Sequence, residues 1–367
     1  MKVGIDVTPA AQARIVGISR FAVNLVEQLA RDPVQDRYEL FYRPRALRQP
    51  RRFWHPPDPR FGSHLLCFPL TLASMRGLDV YSSTYQWLPR YCGGAAIVGM
   101  LHDIVYLSLP ELGSRRTRER AQARYRDVAA RSTLIVTLSE FSKREIVRLL
   151  GVQPERVRVV PLAAEPSYAP QDDSRISDVR RRFGLERRYI LFAGGFGRRK
   201  NATGAIRAFA AALPRLPDDV VLALSGGGGP LAGETQELAH RAGLAGRVKL
   251  LGYVPDDDYP ALMSGCLVFF LPTLLEGFGL PALEAMACGA PVLSSSTTSV
   301  PEVCGDAALL VDPVDESALA TGLAELCRDA ALRESLRHRG IERAAQFSWR
   351  RVAGQIHDVF REAAKRR

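Results

Sequence analysis

The stretch from Pro272 to Ser294, PTLLEGFGLPALEAMACGAPVLS, carries two carboxylates, Glu276 and Glu284, around a turn containing Gly277 and Gly279. Its pattern predicts a strand before the turn, a helix over Leu280 to Cys288, a stop at Gly289 and a new strand from Pro291. A glycine turn at a helix N-terminus aims backbone N–H groups outward, which makes a seat for diphosphate oxygens. Pro281 suits the first helical turn, where its missing N–H has no partner to lose. Glu276 precedes the turn and Glu284 lies one turn into the helix. One carboxylate is thus placed to meet a sugar while the other accepts hydrogen bonds from ribose hydroxyls. Taken alone, the pair also fits two solvated glutamates on a surface helix.

Arg199 and Lys200, followed by Asn201, stand after an apolar strand and a glycine-containing turn in LFAGGFGRRKNATGAIRAF. Cations at a helix start oppose the helix dipole unless an anion is held there. The pair therefore reads as counter-charge for a diphosphate and for the charge developing on a leaving group; solvated cations are the alternative. In VGMLHDIVYLSLPE an apolar strand ends at His102 and Asp103. A lone histidine is more often a satisfied core residue, but a strand's carboxyl end is where α/β proteins place their chemistry. Asp103 either orients His102 or caps the next segment. The run Asp256, Asp257, Asp258 contains a DxD spacing that binds metal-diphosphate in another fold. Directly before Tyr259 and Pro260 it is read as a helix cap, and no metal is expected.

Strand and helix patterns alternate along the whole chain, which argues for parallel sheets covered on both faces. Strands are expected at Lys2 to Val7, Tyr38 to Tyr42, Val80 to Ser82, Ala96 to Leu101, Leu134 to Leu138 and Val157 to Val160. A second cycle runs through Tyr189 to Ala193, Val220 to Leu224, Val248 to Leu250, Leu267 to Leu271, Val292 to Ser294 and Leu309 to Val311. Between the cycles, Ala164 to Ser174 holds two prolines and suits a linker. The expected organisation is an N-terminal Rossmann-like domain over 1–165, a C-terminal one over 166–348, and a helix over 349–367 packing back toward the first. Two doubly wound halves place a ligand-binding cleft between the carboxyl ends of their strands.

The block EGFGLPALEAMACGAPV resembles the signature of glycosyltransferase family 4, in which two Glu are separated by seven residues inside EGFGLPxLEAMAxGxPV; every fixed position is present. The likeness extends over nearly the whole chain. Arg199, Lys200 and Asn201 match the family's basic pair and following Asn, and His102 and Asp103 match its HD. VKLLGYVPDDDYPALMSGC resembles the segment that flanks the nucleotide base, and LIVTLSEFSKREIVRLLGV also has a family counterpart, with Ser139 as a helix cap. The resemblance implies a GT-B fold, two facing doubly wound α/β domains with an interdomain cleft, the N-terminal one binding the acceptor and the C-terminal one the nucleotide sugar. It also implies a retaining, metal-independent transfer in which diphosphate oxygen accepts the acceptor proton. His102, Glu276, Arg199 and Lys200 would serve the reaction centre. Gly17, Asp103, Tyr253, Val254, Gly277, Phe278, Gly279, Leu280 and Glu284 would hold the donor. Many members carry Gly-Gly in their first loop where this chain has Val16-Gly17, which departs from the pattern.

The opening MKVGIDVTP, the GISRF helix start and HDIVYLSLPE are most similar to mannosyltransferase-type members that build bacterial surface polysaccharides such as O-antigen. The resemblance thus implies a hexose, first of all mannose, carried by GDP-mannose or a UDP-sugar, with no cofactor beyond that substrate. The acceptor would be a glycan or a polyprenyl-diphosphate-linked oligosaccharide. Charge points the same way: residues 1–165 carry 25 Lys and Arg against 15 Asp and Glu, whereas residues 166–367 carry 25 against 24. That basic half would attract anionic membrane or a phosphate-bearing substrate, and a solvated arginine-rich helix is the alternative. No aromatic reading motif accompanies the arginines, so nucleic acid is not an expected partner. MKVGIDV reads as a first strand, there is no signal-peptide layout and no apolar run of eighteen residues, and the six cysteines are scattered. The expected location is cytoplasmic, peripheral on the inner face of the membrane. Two rival readings are a dinucleotide-dependent enzyme, from the GxGxxA spacing of Gly227, Gly229 and Ala232, and a catalytically inactive relative that binds sugar nucleotides.

Overall fold

Runs of apolar residues cut off by turns form the strands of two sheets, and every paired strand is parallel to its neighbour. A computed structural model of the chain describes residues 1–12, 17–51, 53–67, 70–226, 232–241, 243–244 and 246–367, with residues 70, 232 and 235 as backbone. Val16, Gly227 and Gly229 lie outside the described residues, as does the side chain of Ala232. The chain divides into two compact units, Met1–Leu162 with Ser348–Arg367, and Ala163–Phe347.

The first unit holds β1 (Lys2–Asp6), β2 (Arg37–Tyr42), β3 (Phe61–Leu65), β4 (Val80–Ser83), β5 (Ala96–Met100), β6 (Leu134–Thr137) and β7 (Val157–Val159) in the order β3-β2-β1-β4-β5-β6-β7. The order reverses at β1 and β4, where Val3 is opposite Tyr38 on one side and Val80 on the other. Such a switch point opens a crevice at the strands' carboxyl ends, because the connections on its two sides leave in opposite directions. β3 has no counterpart among the expected strands. Its sequence FGSHL is weakly apolar, and pairing with β2 from Tyr38–Phe61 to Tyr42–Leu65 holds it at the edge.

The C-terminal helix, Trp349–Lys365, begins at Ser348, whose side chain accepts from Arg351 N. It buries Trp349, Val352, Ile356, Phe360 and Ala363, a 3.6-residue stripe. The stripe packs on the helix Ile18–Arg31, with Phe21 and Trp349 ring centroids 6.2 Å apart. Each large side chain so buried contributes about 1.5–3 kcal/mol. Polar pins hold the same helix: His357 Nε2 lies 2.6 Å from Asp36 Oδ2, and Arg158 Nε donates to Glu362 at 2.9 Å.

The second unit holds β8 (Arg188–Ala193), β9 (Val220–Ser225), β10 (Val248–Gly252), β11 (Val268–Leu271), β12 (Val292–Ser295) and β13 (Leu309–Val311) in the order β10-β9-β8-β11-β12-β13. Its switch point lies between β8 and β11. β9 and β11 are buried at every residue, as VVLALS and VFFL require when helices cover both faces of a parallel sheet. Asp258 departs from the capping role expected of it. It makes no cap hydrogen bond to the helix Tyr259–Ser264 and instead accepts from Arg175 at 3.0 Å and Arg182 at 2.6 Å. Two guanidiniums outbid one amide for a buried carboxylate, since charge-assisted bonds are the stronger. Ser139 does cap the helix Glu140–Leu150, accepting from Ser142 N. Among the described residues no helix is long and apolar enough to cross a membrane.

Candidate functional site

In the second unit the loops after β8 and β11, neighbours across the switch point, meet at Glu276. Past β8 the chain makes one 3-10 turn at Arg198–Lys200, and Asn201, at φ +57°, caps the helix Ala202–Ala212. That turn aims Arg199 and Lys200 across to the other loop. Arg199 Nη1 donates to Glu276 Oε2 at 2.8 Å and to Leu275 O at 3.0 Å; Lys200 Nζ donates to Glu276 Oε1 at 2.6 Å. The three charged side chains, separate on the basis of sequence, form one cluster. Glu276 also supplies the anion that cations at this helix start require.

Glu276 is buried, and burial alone would push its carboxyl up. The charges and hydrogen bonds of Lys200 and Arg199 outweigh that and hold it at about 2. Lys200 is shifted down, first by burial and next against the pull of Glu276, with Arg199 adding to the fall. The carboxylate is ionised throughout the neutral range, so it accepts hydrogen bonds and has no proton to give.

Beyond Glu276 the turn reaches Gly279, whose φ of +106° starts the helix Leu280–Ala287. The amides of Gly279 and Leu280 donate to no acceptor among the described residues, as expected of a helix's first N–H groups. Gly289, at φ +72°, follows the helix end at the expected position. Glu284 is buried on the second turn, near enough for its charge to oppose the burial-driven fall of the Lys200 pKa and to add to the burial-driven rise of Tyr259. Phe278 turns its ring into the core against Phe347, at 6.0 Å between centroids, so only its backbone remains for a ligand. Tyr253 and Val254 divide likewise: Tyr253 is half exposed after β10 and Val254 is buried.

In the first unit His102 follows β5 and is buried. Its Nε2 lies 2.8 Å from Thr84 O, which fixes Nε2 as the proton-bearing nitrogen because a carbonyl only accepts. Phe21 meets the ring edge-on at 5.2 Å. Burial lowers the His102 pKa, against the opposing pull of Thr84 O and Asp103, so the imidazole is neutral at pH 7. Asp103 Oδ1 accepts a long bond from Val105 N at 3.4 Å, and its carbonyl accepts from Gln86. Gly17 takes φ +52° at the start of Ile18–Arg31, with open space where a Cβ would stand.

Several side chains that set this geometry went unread in the sequence. Thr273, fully buried, has its hydroxyl within 3.0 Å of Glu276 Oε1 and of Arg199 O. Ser299 Oγ donates to Glu276 O at 2.8 Å, and Thr298 Oγ1 accepts from Glu276 N at 3.3 Å. Thr298 has φ +61°, a strained conformation for a β-branched residue and a mark of functional sites. The signal was available: SSSTTS, beginning with the last two residues of β12 and running on past it, gathers hydroxyls at a carboxyl end. Among the described residues no three His, Cys, Asp or Glu side chains are grouped to hold a metal.

Comparison with known families matches residues 15–168 to the model described as Glycosyltransferase Family 4 and residues 174–345 to Glycosyl transferases group 1. The chain belongs to glycosyltransferase family 4 and is a glycosyltransferase of GT-B type. It is 30% identical over 368 residues to O-antigen chain mannosyltransferase B of Escherichia coli, an alignment spanning 95% of this chain and 96% of that one. Among solved structures it is similar to HepE of Anabaena in complex with UDP and glucose, with a TM-score of 0.77, 20% identity and coverage of 98% and 99%. Sucrose-phosphate synthase from Thermosynechococcus elongatus gives 0.73, 22% and 98% of each chain. At those identities the agreement is one of fold.

Proposed function

We propose that the protein moves a hexose, first of all mannose, from a nucleotide-sugar donor to a glycan or lipid-linked oligosaccharide in cell-surface polysaccharide synthesis, with retention at the anomeric carbon. The observation that carries this reading is the Arg199–Glu276–Lys200 cluster at the β8/β11 switch point beside the Gly279 helix start. The cluster offers two cations and a row of amides to a diphosphate, and an ionised carboxylate to sugar hydroxyls. Glu284 suits the ribose, from its buried position one turn further on. Since Glu276 is ionised and paired, it is an acceptor of hydroxyl protons rather than a general acid; charge on the departing diphosphate is stabilised by Arg199, Lys200 and the helix amides. His102, neutral and with Nδ1 as its acceptor nitrogen, suits a donor-sugar hydroxyl. Neither role calls on a metal ion.

Mannose as first choice is supported by the Escherichia coli relative, whose name is that of a mannosyltransferase. HepE, solved with UDP-glucose, supports a nucleotide sugar in general. A lipid-linked acceptor and a place on anionic membrane are supported by the helix Arg115–Arg131, which exposes Arg115, Arg116, Arg120, Arg124 and Arg126. The deciding experiment assays transfer and hydrolysis across a panel of GDP- and UDP-sugars and reads the product anomer by NMR. Turnover of a GDP- or UDP-hexose with retention is the expected result; inversion, or inactivity with every sugar on the panel, overturns it. Flotation with neutral and anionic vesicles at low salt tests the membrane arm, and equal recovery from both would remove it.

A further inference from the structure

The β11–β12 ladder ends at the pair Leu271–Ser294, and past it hydroxyls from one segment hold the backbone of the other. Ser294 Oγ donates to Leu271 O at 2.7 Å, Ser295 Oγ to Thr273 O, and Ser299 Oγ to Glu276 O at 2.8 Å. Thr298 Oγ1 accepts from Glu276 N at 3.3 Å. The neighbours Thr298 and Ser299 therefore hold both main-chain polar groups of Glu276. Its carboxylate is held separately, by Arg199, Lys200 and Thr273.

Buried carbonyls need donors, and that need accounts for Ser294 and Ser295. It does not account for what Thr298 and Ser299 forgo. Ser299 occupies the N-cap of the helix Val300–Cys304, where a serine ordinarily accepts from an amide of the first turn, yet it makes no such bond. Thr298 stands at φ +61°, a conformation in which a β-branched residue is strained. Thr297, one residue earlier, has a buried hydroxyl with no hydrogen-bond partner among the described residues. Hydroxyls in this loop are thus not placed by a general demand for partners. The two that reach Glu276 each displace a more stable local arrangement, and both act on the same residue.

We propose that Thr298 and Ser299 are positioning residues for the transfer: they fix the backbone of Glu276, and with it the place of its carboxylate against the donor hexose. The proposal rests on the glycosyl-transfer reading above. Arg199 and Lys200 reach Glu276 on long, rotatable side chains and can follow a carboxylate that drifts. Two short hydroxyls on adjacent backbone positions cannot. Misplacement of a reacting group by about 1 Å costs on the order of 100-fold in rate, so loosening one of the two holds is expected to cost about tenfold.

The test uses the full chain and the nucleotide hexose that the donor panel shows to be turned over fastest. For each variant kcat and donor KM are measured well below its melting temperature, alongside the thermal shift given by GDP and UDP. Ser299→Ala, and Thr298→Val, which loses the hydroxyl but keeps the shape, are each expected to lower kcat about tenfold, with donor KM within about twofold and the nucleotide shift unchanged. Thr298→Ser keeps the hydroxyl and is expected to recover most of the rate. Thr297→Val removes a hydroxyl that holds nothing and is expected to match the parent. A purely structural role would lower the melting temperatures of Ser299→Ala and Thr298→Val and leave kcat of the folded protein at the parent's value; that result overturns the proposal. It is overturned equally by Thr298→Ser as slow as Thr298→Val, by Thr297→Val as slow as either, or by failure of both Ser299→Ala and Thr298→Val to fold. If only one of them folds, its kcat decides. A parent inactive with every nucleotide sugar sinks the transfer reading itself, and the proposal with it.

Discussion

Lys200 Nζ and Glu276 Oε1 lie 2.6 Å apart, although 76 positions separate the two residues in the chain. The contact closes the loops that follow β8 and β11 over one another, and Arg199 completes it from the other carboxylate oxygen. Glu276 is thus a structural anion as well as a candidate substrate contact. Removing it leaves a buried ammonium and a half-buried guanidinium without their counter-charge.

Glu276→Ala is therefore expected to destabilise the enzyme by about 3 kcal/mol, the scale found when one partner of a buried pair is deleted. A nucleoside diphosphate should return a disproportionate part of that loss, since its phosphates supply the missing anion. Thermal melts of parent and variant with and without UDP or GDP measure both effects. A variant as stable as the parent, or one that gains no more than the parent from nucleotide, contradicts the paired role.

Acid should act on the same cluster. The Glu276 carboxyl is held at about 2 in the fold against an ordinary 4.5. A depressed carboxylate pKa contributes stability that is complete above the ordinary value and is lost as pH falls toward the folded one. Parent stability should therefore decline between pH 4.5 and about 2 more steeply than that of Glu276→Gln, which has no proton to take up. Parallel decline of the two in pH-dependent unfolding would assign the acid sensitivity to other groups.

Much of the fold and of the candidate site was legible where the parts are local. The turn at Gly277 to Gly279, the helix stop at Gly289 and the cap at Ser139 each rest on residues within a few positions of one another. What stayed hidden depends on distant chain segments. Nothing near Asp258 in sequence announces that Arg175 and Arg182 will claim its carboxylate, so a local capping rule misplaced it. β3 was missed because FGSHL becomes a strand by pairing with β2 rather than by its own pattern. Thr298 and Ser299 are hidden for a related reason: their hydroxyls matter through Glu276, and the β11–β12 pairing brings those loops together.

The two glutamates should separate kinetically. Glu284→Ala is expected to weaken nucleotide-sugar binding by about 10- to 100-fold, the range for losing a charged acceptor of ribose hydroxyls. Glu276→Ala is expected to act mainly on kcat, because it also displaces Arg199 and Lys200 from the positions in which they meet diphosphate charge. Donor titration by calorimetry alongside steady-state rates distinguishes them. Unchanged donor affinity in Glu284→Ala refutes this division.

Gly279→Ala isolates the contribution of backbone conformation. An added Cβ would meet nothing closer than Val300 Cγ2 at 3.8 Å, so there is room for it. The cost comes from φ +106°, which L-residues avoid, and should be about 1–2 kcal/mol if the turn keeps its shape. A turn that relaxes instead toward negative φ would recover stability by re-aiming the amides of Gly279 and Leu280. In the first case UDP or GDP affinity holds while the melting temperature falls; in the second, affinity falls while the melting temperature is nearly kept. Only the second result places the amides in the donor site, since the first is the cost of the backbone conformation alone. Loss of neither, with full activity, would show that the helix start takes no part in binding diphosphate.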